Sequence, residues 1–170
     1  MPYMIGIRRF LPLFLFAAAA VSAAQQAPAK PNFTGTWNVD LQKSDFGGLE
    51  TPQSARYLIR QLGSKIEMQY ELDSHVTRVD VTPDGEEHVL ETGPDTENLA
   101  RVYWSGSVLV FEGRVRPLPS SSALPVKWTS RWSLSPDKKV LTIERHLSSD
   151  RATADQKVVF NKEAAKGKAQ

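Results

Sequence analysis

Apolar and polar side chains alternate one by one along most of the chain. In the stretch KIEMQYEL, every second residue from Ile66 to Leu72 is apolar and the residues between them are polar or charged. The stretch VKWTSRWSL repeats this pattern and places Trp128 and Trp132 on the same face. A period of two predicts β-strands with one buried face, and no segment clearly predicts a helix.

Turn-forming residues separate these runs, as in LGSK, TPDGEE, WSGSV and SPDKK. Most predicted connections are two to five residues long, which is typical of consecutive hairpins. We therefore predict an all-β fold: one antiparallel up-and-down barrel of about 8–10 strands, closed so that few edges are exposed. A two-sheet sandwich with longer crossing connections is the alternative. The strands are predicted to begin near Phe33, Ala55, Lys65, His75, Glu86, Leu99, Ser107, Val126, Lys139 and Asp155.

The residues before the first predicted strand have the pattern of a signal peptide. Arg8 and Arg9 precede the apolar run FLPLFLFAAAAV, and the small residues of VSAA follow it. We predict a signal peptide over residues 1–24 and hence a periplasmic or secreted protein. A membrane anchor is the alternative, although the run is shorter than the roughly 20 apolar residues of a membrane span. Residues 25–31 and 163–170 are predicted to be disordered, and 32–162 to form the barrel.

Composition argues against a protein that depends on cysteines and against a nucleic-acid-binding protein. The chain has no cysteine, so neither a disulfide nor a lipid-attachment cysteine is available. Lys and Arg number 21 and Asp and Glu 19. Because two of the arginines lie in the predicted signal peptide, the rest of the chain has no net charge. Nucleic-acid binding needs a basic face, so we expect no nucleic-acid partner.

The motif Phe-Thr-Gly-Thr-Trp opens the first predicted strand. Its alternation turns Phe33, Gly35 and Trp37 to one face, with Gly35 leaving room between the two aromatic rings. The motif resembles the calycin superfamily, in which lipocalins begin with Gly-x-Trp and fatty-acid-binding proteins with Phe-x-Gly-x-Trp. The resemblance implies a barrel whose closed end is plugged by Trp37, which stacks against a basic residue. The candidate is Arg145, with Arg131 as the alternative.

Two departures from the fatty-acid-binding proteins change what the resemblance implies. Those proteins carry a helical lid after the first strand, but residues 41–54 contain Gly47, Gly48 and Pro52 and are too broken for one. Their last strand holds an Arg-x-Tyr pair for a carboxylate, and the last strand here, QKVVFNK, has no arginine. The longer pattern FTGTW…KSDFG is similar to a set of uncharacterised secreted bacterial proteins.

The aromatic residues give the main candidates for a binding site. As a site, they would line a pocket for a small apolar or amphipathic molecule; as core, they would only fill the barrel. The longest irregular stretch, predicted at residues 116–125, supports the alternative of a surface module that binds or inhibits a protein. The predicted ligand-binding residues are Met68, Tyr70, Trp104, Arg114, Trp128 and Trp132.

The sequence offers no catalytic motif. Its histidines, His75, His88 and His146, lie on separate predicted strands without metal-ligand spacing, and Asp84 and its acidic neighbours cluster at a hairpin turn. We therefore predict no catalytic residue, no metal ligand and no cofactor, and expect a binding protein. An enzyme at the barrel mouth, or a haem or metal protein built on His75 or His146, is the remaining alternative.

Overall fold

The computed structural model describes residues 30–164. The predicted signal peptide and most of the two predicted disordered segments lie outside them. The described residues form ten strands and no helix, and every strand begins within three residues of its predicted start. The strands are β1 (Gly35–Val39), β2 (Ala55–Leu62), β3 (Lys65–Leu72), β4 (His75–Val81), β5 (Glu87–Thr92), β6 (Thr96–Ser105), β7 (Val108–Pro117), β8 (Val126–Leu134), β9 (Val140–Ser148) and β10 (Thr153–Lys162).

All ten strands belong to one antiparallel sheet with the order β4-β3-β2-β1-β10-β9-β8-β7-β6-β5. The sheet curls into a nearly closed up-and-down barrel, which confirms the predicted fold class. First and last strands pair with each other, and Trp37 lies opposite Lys162. The two edge strands, β4 and β5, approach each other without ladder pairing. We call the space between them the gap.

Aromatic side chains fill one end of the barrel interior. Phe33 and Trp37 are fully buried there, and the Trp37 indole nitrogen donates a hydrogen bond to the Phe33 carbonyl at 2.9 Å. The Phe33 ring stacks on Trp104 with ring centres 5.9 Å apart and meets Trp132 edge-on at 6.3 Å. We call this the closed end of the barrel.

The longest connection between strands is the one from β1 to β2, over residues 40–54. The prediction that residues 116–125 form the longest irregular stretch was wrong, because β7 continues to Pro117 and the eight residues from 118 to 125 are fewer than the fifteen from 40 to 54. Residues 44–53, which we call the cap segment, attach to strand β10. Asp45 and Lys157 exchange two backbone hydrogen bonds of 2.8 Å, and the Val159 amide donates to the Ser44 hydroxyl at 2.9 Å.

Within residues 30–164, no helix has the length and apolar character needed to cross a bilayer.

Candidate functional site

Inward-facing side chains of the barrel line an inner and an outer cavity. The inner cavity, of about 230 Å³, lies against strands from both halves of the barrel. The outer cavity, of about 380 Å³, lies between the cap segment and strands β2, β3, β9 and β10. Three residues, Tyr57, Tyr70 and Arg145, line both cavities. We call these three the partition, because they border both cavities.

Two tryptophans form an aromatic wall of the inner cavity, and both have satisfied indole nitrogens. Trp132 donates to the hydroxyl of buried Ser130 at 2.9 Å, and Trp128 donates to the Asn98 side chain at 3.2 Å. The Trp128 indole occupies the space where a β-carbon on Gly113 would lie. These contacts fix both indoles against the barrel wall, so an apolar ligand would meet preformed aromatic surface.

The tyrosines of the partition are stacked on each other; Tyr57 is buried and Tyr70 is half-buried. The rings of Tyr57 and Tyr70 are 4.4 Å apart, and the Tyr57 ring also meets Trp132 and Phe160 edge-on at 5.1 and 5.3 Å. Burial raises the pKa of the Tyr57 hydroxyl to about 12, and the positive charge of Arg145 partly offsets that rise. Burial also raises the pKa of Tyr70. Both hydroxyls are therefore neutral near pH 7 and can donate a hydrogen bond.

Arg145 brings a positive charge into this apolar interior. It alternates with the buried Leu141 and Ile143 on β9, and this alternation turns it inward. Within residues 30–164, its Nε is the one buried side-chain nitrogen or oxygen atom that has no hydrogen-bond partner. Buried polar groups are nearly always paired with protein or ordered water, so this nitrogen is a candidate contact for a bound ligand or a water molecule.

The structure separates Arg145 from the tryptophan that it was predicted to contact. The cation above the Trp37 ring is Lys162, with its Nζ 5.0 Å from the ring centre. Arg145 is paired with Gln156, six residues before Lys162 on β10. At about 3.3 Å per residue, that separation is roughly 20 Å along the strand. Arg131, the alternative, lies on the exposed outer face of β8.

Gly35 makes the Lys162 contact possible. A β-carbon at this position would overlap the Lys162 side chain. The glycine therefore leaves room for the aliphatic part of the Lys162 side chain beside Trp37. The sequence predicts instead that it leaves room between two aromatic rings.

Four of the six predicted ligand-binding residues line the inner cavity, namely Met68, Tyr70, Trp128 and Trp132. The other two lie elsewhere. Trp104 packs on Phe33 at the closed end, with the Lys30 ammonium 5.9 Å from its ring centre.

Arg114 lies on the outer face of the barrel. Arg114 is three residues from the buried Phe111 on β7, so the two side chains point to opposite faces of the sheet. The Arg114 guanidinium donates a hydrogen bond to Glu87 of β5 at 2.7 Å. The odd-numbered residues of β7 face inward, so Arg114 cannot serve as an anchor inside the barrel.

Sequence reasoning assigned Arg145 to the plug, and it missed six other polar or aromatic residues of the inner cavity, namely Tyr57, Thr77, Glu91, Asn98, Phe111 and Ser130. Tyr57 had a signal, because it alternates with Ala55 and Ile59 on a strand with one apolar face. Arg145 likewise shares a strand face with the apolar Leu141 and Ile143 on β9, which indicates that it points inward.

The histidines lie apart. His88 contacts Asp84 at 2.9 Å, His146 contacts Asp155 at 2.6 Å, and His75 begins the edge strand β4. Among residues 30–164, no group of three or more His, Cys, Asp or Glu side chains is placed to hold a metal ion.

No protein-family model and no curated protein sequence matches this chain. Solved structures do resemble it. Zebrafish ileal bile acid-binding protein in complex with cholic acid aligns with a TM-score of 0.56 and 16% identity, covering 77% of this chain and 98% of that one. A fatty acid transporter, REP1-NXSQ, aligns with a TM-score of 0.55 and 10% identity, covering 79% and 98%.

A third structure is similar to the same extent. It is a secretory abundant heat soluble protein from Ramazzottius varieornatus, with a TM-score of 0.57 and 14% identity over 76% of this chain and 94% of that one. At these identities the likeness concerns the fold. The fold is that of the calycin-type barrels, as the motif from Phe33 to Trp37 predicts.

Proposed function

We propose that this protein is an exported barrel that binds a small amphipathic molecule. The anionic group of the ligand contacts Arg145, and its apolar part lies against Trp128 and Trp132. The observation that carries this proposal is the buried, unpartnered Nε of Arg145 at the junction of two cavities. Export rests on the signal-peptide pattern of residues 1–24.

The partition favours an anion on chemical grounds. A guanidinium withdrawn from water is stabilised by a carboxylate, sulfate or phosphate oxygen, and hydrogen bonds to such groups are stronger than neutral ones. The neutral hydroxyls of Tyr57 and Tyr70 add two possible donors on the same side. Glu144 and Asp155 do not occupy this position, because they lie on the outer faces of β9 and β10.

The inner cavity favours an apolar group beside that anion. Its wall is built from Met68, Phe111, Trp128 and Trp132, so a hydrocarbon chain or ring placed there would leave water for apolar surface. The cavity is smaller than the roughly 300–1,000 Å³ of pockets for drug-sized ligands. We therefore propose a small ligand, or a larger one that also extends into the outer cavity.

The comparisons support a ligand of this class. Two of the similar structures are described as a bile acid-binding protein with cholic acid and as a fatty acid transporter. Bile acids and fatty acids each combine an acidic group with an apolar body. The shared fold supports an interior binding site, and the anion is supported by Arg145.

Binding of octanoate to the purified protein tests the proposal. Isothermal titration of the wild type, Arg145→Gln and Arg131→Gln compares an inward with an outward arginine on neighbouring strands. We expect Arg145→Gln to weaken octanoate binding about tenfold or more, as for loss of a charged hydrogen bond. Arg131→Gln should bind like the wild type. Equal affinities for all three proteins, or no binding of octanoate to the wild type, would contradict the proposal.

Native mass spectrometry of gently purified protein gives a second test. A retained mass that disappears on denaturation, and that is lost in Arg145→Gln, supports an anionic ligand. A retained mass that persists in Arg145→Gln contradicts the role given to this residue.

A further inference from the structure

A backbone irregularity turns one carboxylate toward the inner cavity. The pairing of β5 with β6 runs regularly from Glu87 to Val89, which lies opposite Leu99. It then skips one residue, so that Glu91 pairs with Asn98 and Leu90 is left over as a β-bulge. Without the bulge, simple alternation would turn Glu91 outward. A bulge changes the direction of the side chains that follow it, and Glu91 lines the inner cavity.

The inner cavity therefore has two charged residues of opposite sign, and they lie at different depths. Arg145 is half-buried and its Nε is shielded from solvent, whereas Glu91 is exposed on the edge strand β5. Thr77 and Val79 of β4 line the same cavity, so the cavity reaches the gap at the position of Glu91. Within residues 30–164, neither Glu91 nor Arg145 takes part in an ion pair.

Glu91 lies next to the aromatic wall. Its register partner is Asn98, and the Asn98 side chain accepts the hydrogen bond from the Trp128 indole. Glu91 and the two tryptophans line the same cavity, and a carboxylate and the electron-rich faces of tryptophan rings each attract organic cations. The electrostatic character of the cavity thus changes from positive at the partition to negative at the gap.

We infer that the ligand of this cavity is zwitterionic. Its anionic group contacts Arg145 at the partition, its apolar part lies along Trp128 and Trp132, and its ammonium group lies beside Glu91 at the gap. This inference rests on the proposed function, because it uses the same cavity and the same arginine. It adds a second charge of defined sign and a direction, with the cationic end toward solvent.

Two matched compounds test the inference. Octanoate and ω-aminooctanoate have the same chain and carboxylate and differ in a terminal ammonium. The affinities of both for the wild type, Glu91→Gln and Glu87→Gln are measured by titration calorimetry. Glu87 is the control, because it lies on the same strand but faces outward toward Arg114. A length series of ω-amino carboxylates, with the matching simple carboxylates, covers the unknown spacing between the two charges.

We expect the wild type to bind the best ω-amino carboxylate up to about fivefold more tightly than its matched carboxylate, the range of a partly exposed ion pair. Glu91→Gln should remove this preference, because the ammonium group loses its carboxylate partner. Glu87→Gln should keep the preference.

The outcomes separate the two proposals. If both members of every pair bind equally to the wild type and Arg145→Gln weakens both, the anion site stands and the zwitterion inference is overturned. A preference that persists in Glu91→Gln also overturns it. If neither member of any pair binds, both proposals fail together.

Discussion

The indole of Trp128 occupies the position that a side chain on Gly113 would take. The two residues are register partners on neighbouring strands, β8 and β7. This arrangement places the tryptophan against the backbone of the barrel wall and leaves its other side for the inner cavity. The absence of one β-carbon therefore determines the shape of the candidate site.

Substitution Gly113→Ala should displace Trp128 from the wall. Gly113 is not among the residues with positive φ, so alanine is permitted by the backbone and the effect comes from the overlap. We expect a loss of about 1–3 kcal/mol of stability from overpacking and weaker octanoate binding. Chemical denaturation and the tryptophan emission spectrum report the two effects. In a Trp128→Ala background the same substitution should cost little, and an unchanged cost there would show that the overlap is not its cause.

Gly47→Ala should loosen the cap segment. Gly47 has φ +62, and a β-carbon there would collide with the Asp155 carbonyl oxygen of β10. Gly48, with φ +77 and nothing within 4 Å of its β-carbon position, is the matched control. Both alanines carry the backbone strain of about 1–2 kcal/mol, but only Gly47→Ala should also speed hydrogen exchange at the Lys157 amide, which bonds Asp45. Equal exchange in the two variants would contradict this anchoring role.

Stability should fall at alkaline pH because of Tyr57. Its pKa is about 12 in the folded protein against 10.0 for the free side chain. Between these values the unfolded chain releases the proton first, so this contribution is complete below pH 10 and is lost as pH rises through 12. The loss is about 3 kcal/mol. Tyr57→Phe should show a smaller fall in unfolding free energy between pH 9 and pH 12 than the wild type, as urea titrations can measure.

Trp37→Ala should destabilise the closed end. The side chain is fully buried, bonds the Phe33 carbonyl and lies beneath Lys162. The expected cost is about 3–5 kcal/mol. Trp104→Ala, which removes a less buried indole from the same end, should cost less. A melting temperature of Trp37→Ala equal to that of the wild type would exclude the plug role.

Local patterns were enough to predict the strands. The alternation within Lys65–Leu72 and Val126–Leu134 and the turn residues between strands gave every strand start within three residues, because hairpins are determined by short-range chemistry. The same alternation also gives the inward direction of Trp128 and Trp132. The alternation could also have excluded Arg114 from the barrel interior, because Arg114 and the apolar Phe111 lie on opposite faces of β7.

The level of each residue along the barrel axis could not be predicted in this way. Trp104 and Trp128 both face inward, but only the register between strands shows that the first lies at the closed end and the second in the cavity. Register also separates Arg145 from Trp37. The inward direction of the Glu91 side chain depends on a β-bulge, which inserts one residue and reverses the alternation that the sequence would otherwise predict.

Pairing of Trp37 with Lys162 joins positions that are 125 residues apart in the chain, whereas the strands beside the gap come from its middle. A circular permutation that links the end of β10 to the start of β1 and opens the turn at residues 82–86 would make every strand pair with its neighbour in sequence. The natural chain must bring its first and last strands together, which costs loop-closure entropy. The permutant would avoid this cost. Such a permutant should fold faster than the natural chain while keeping the same cavities.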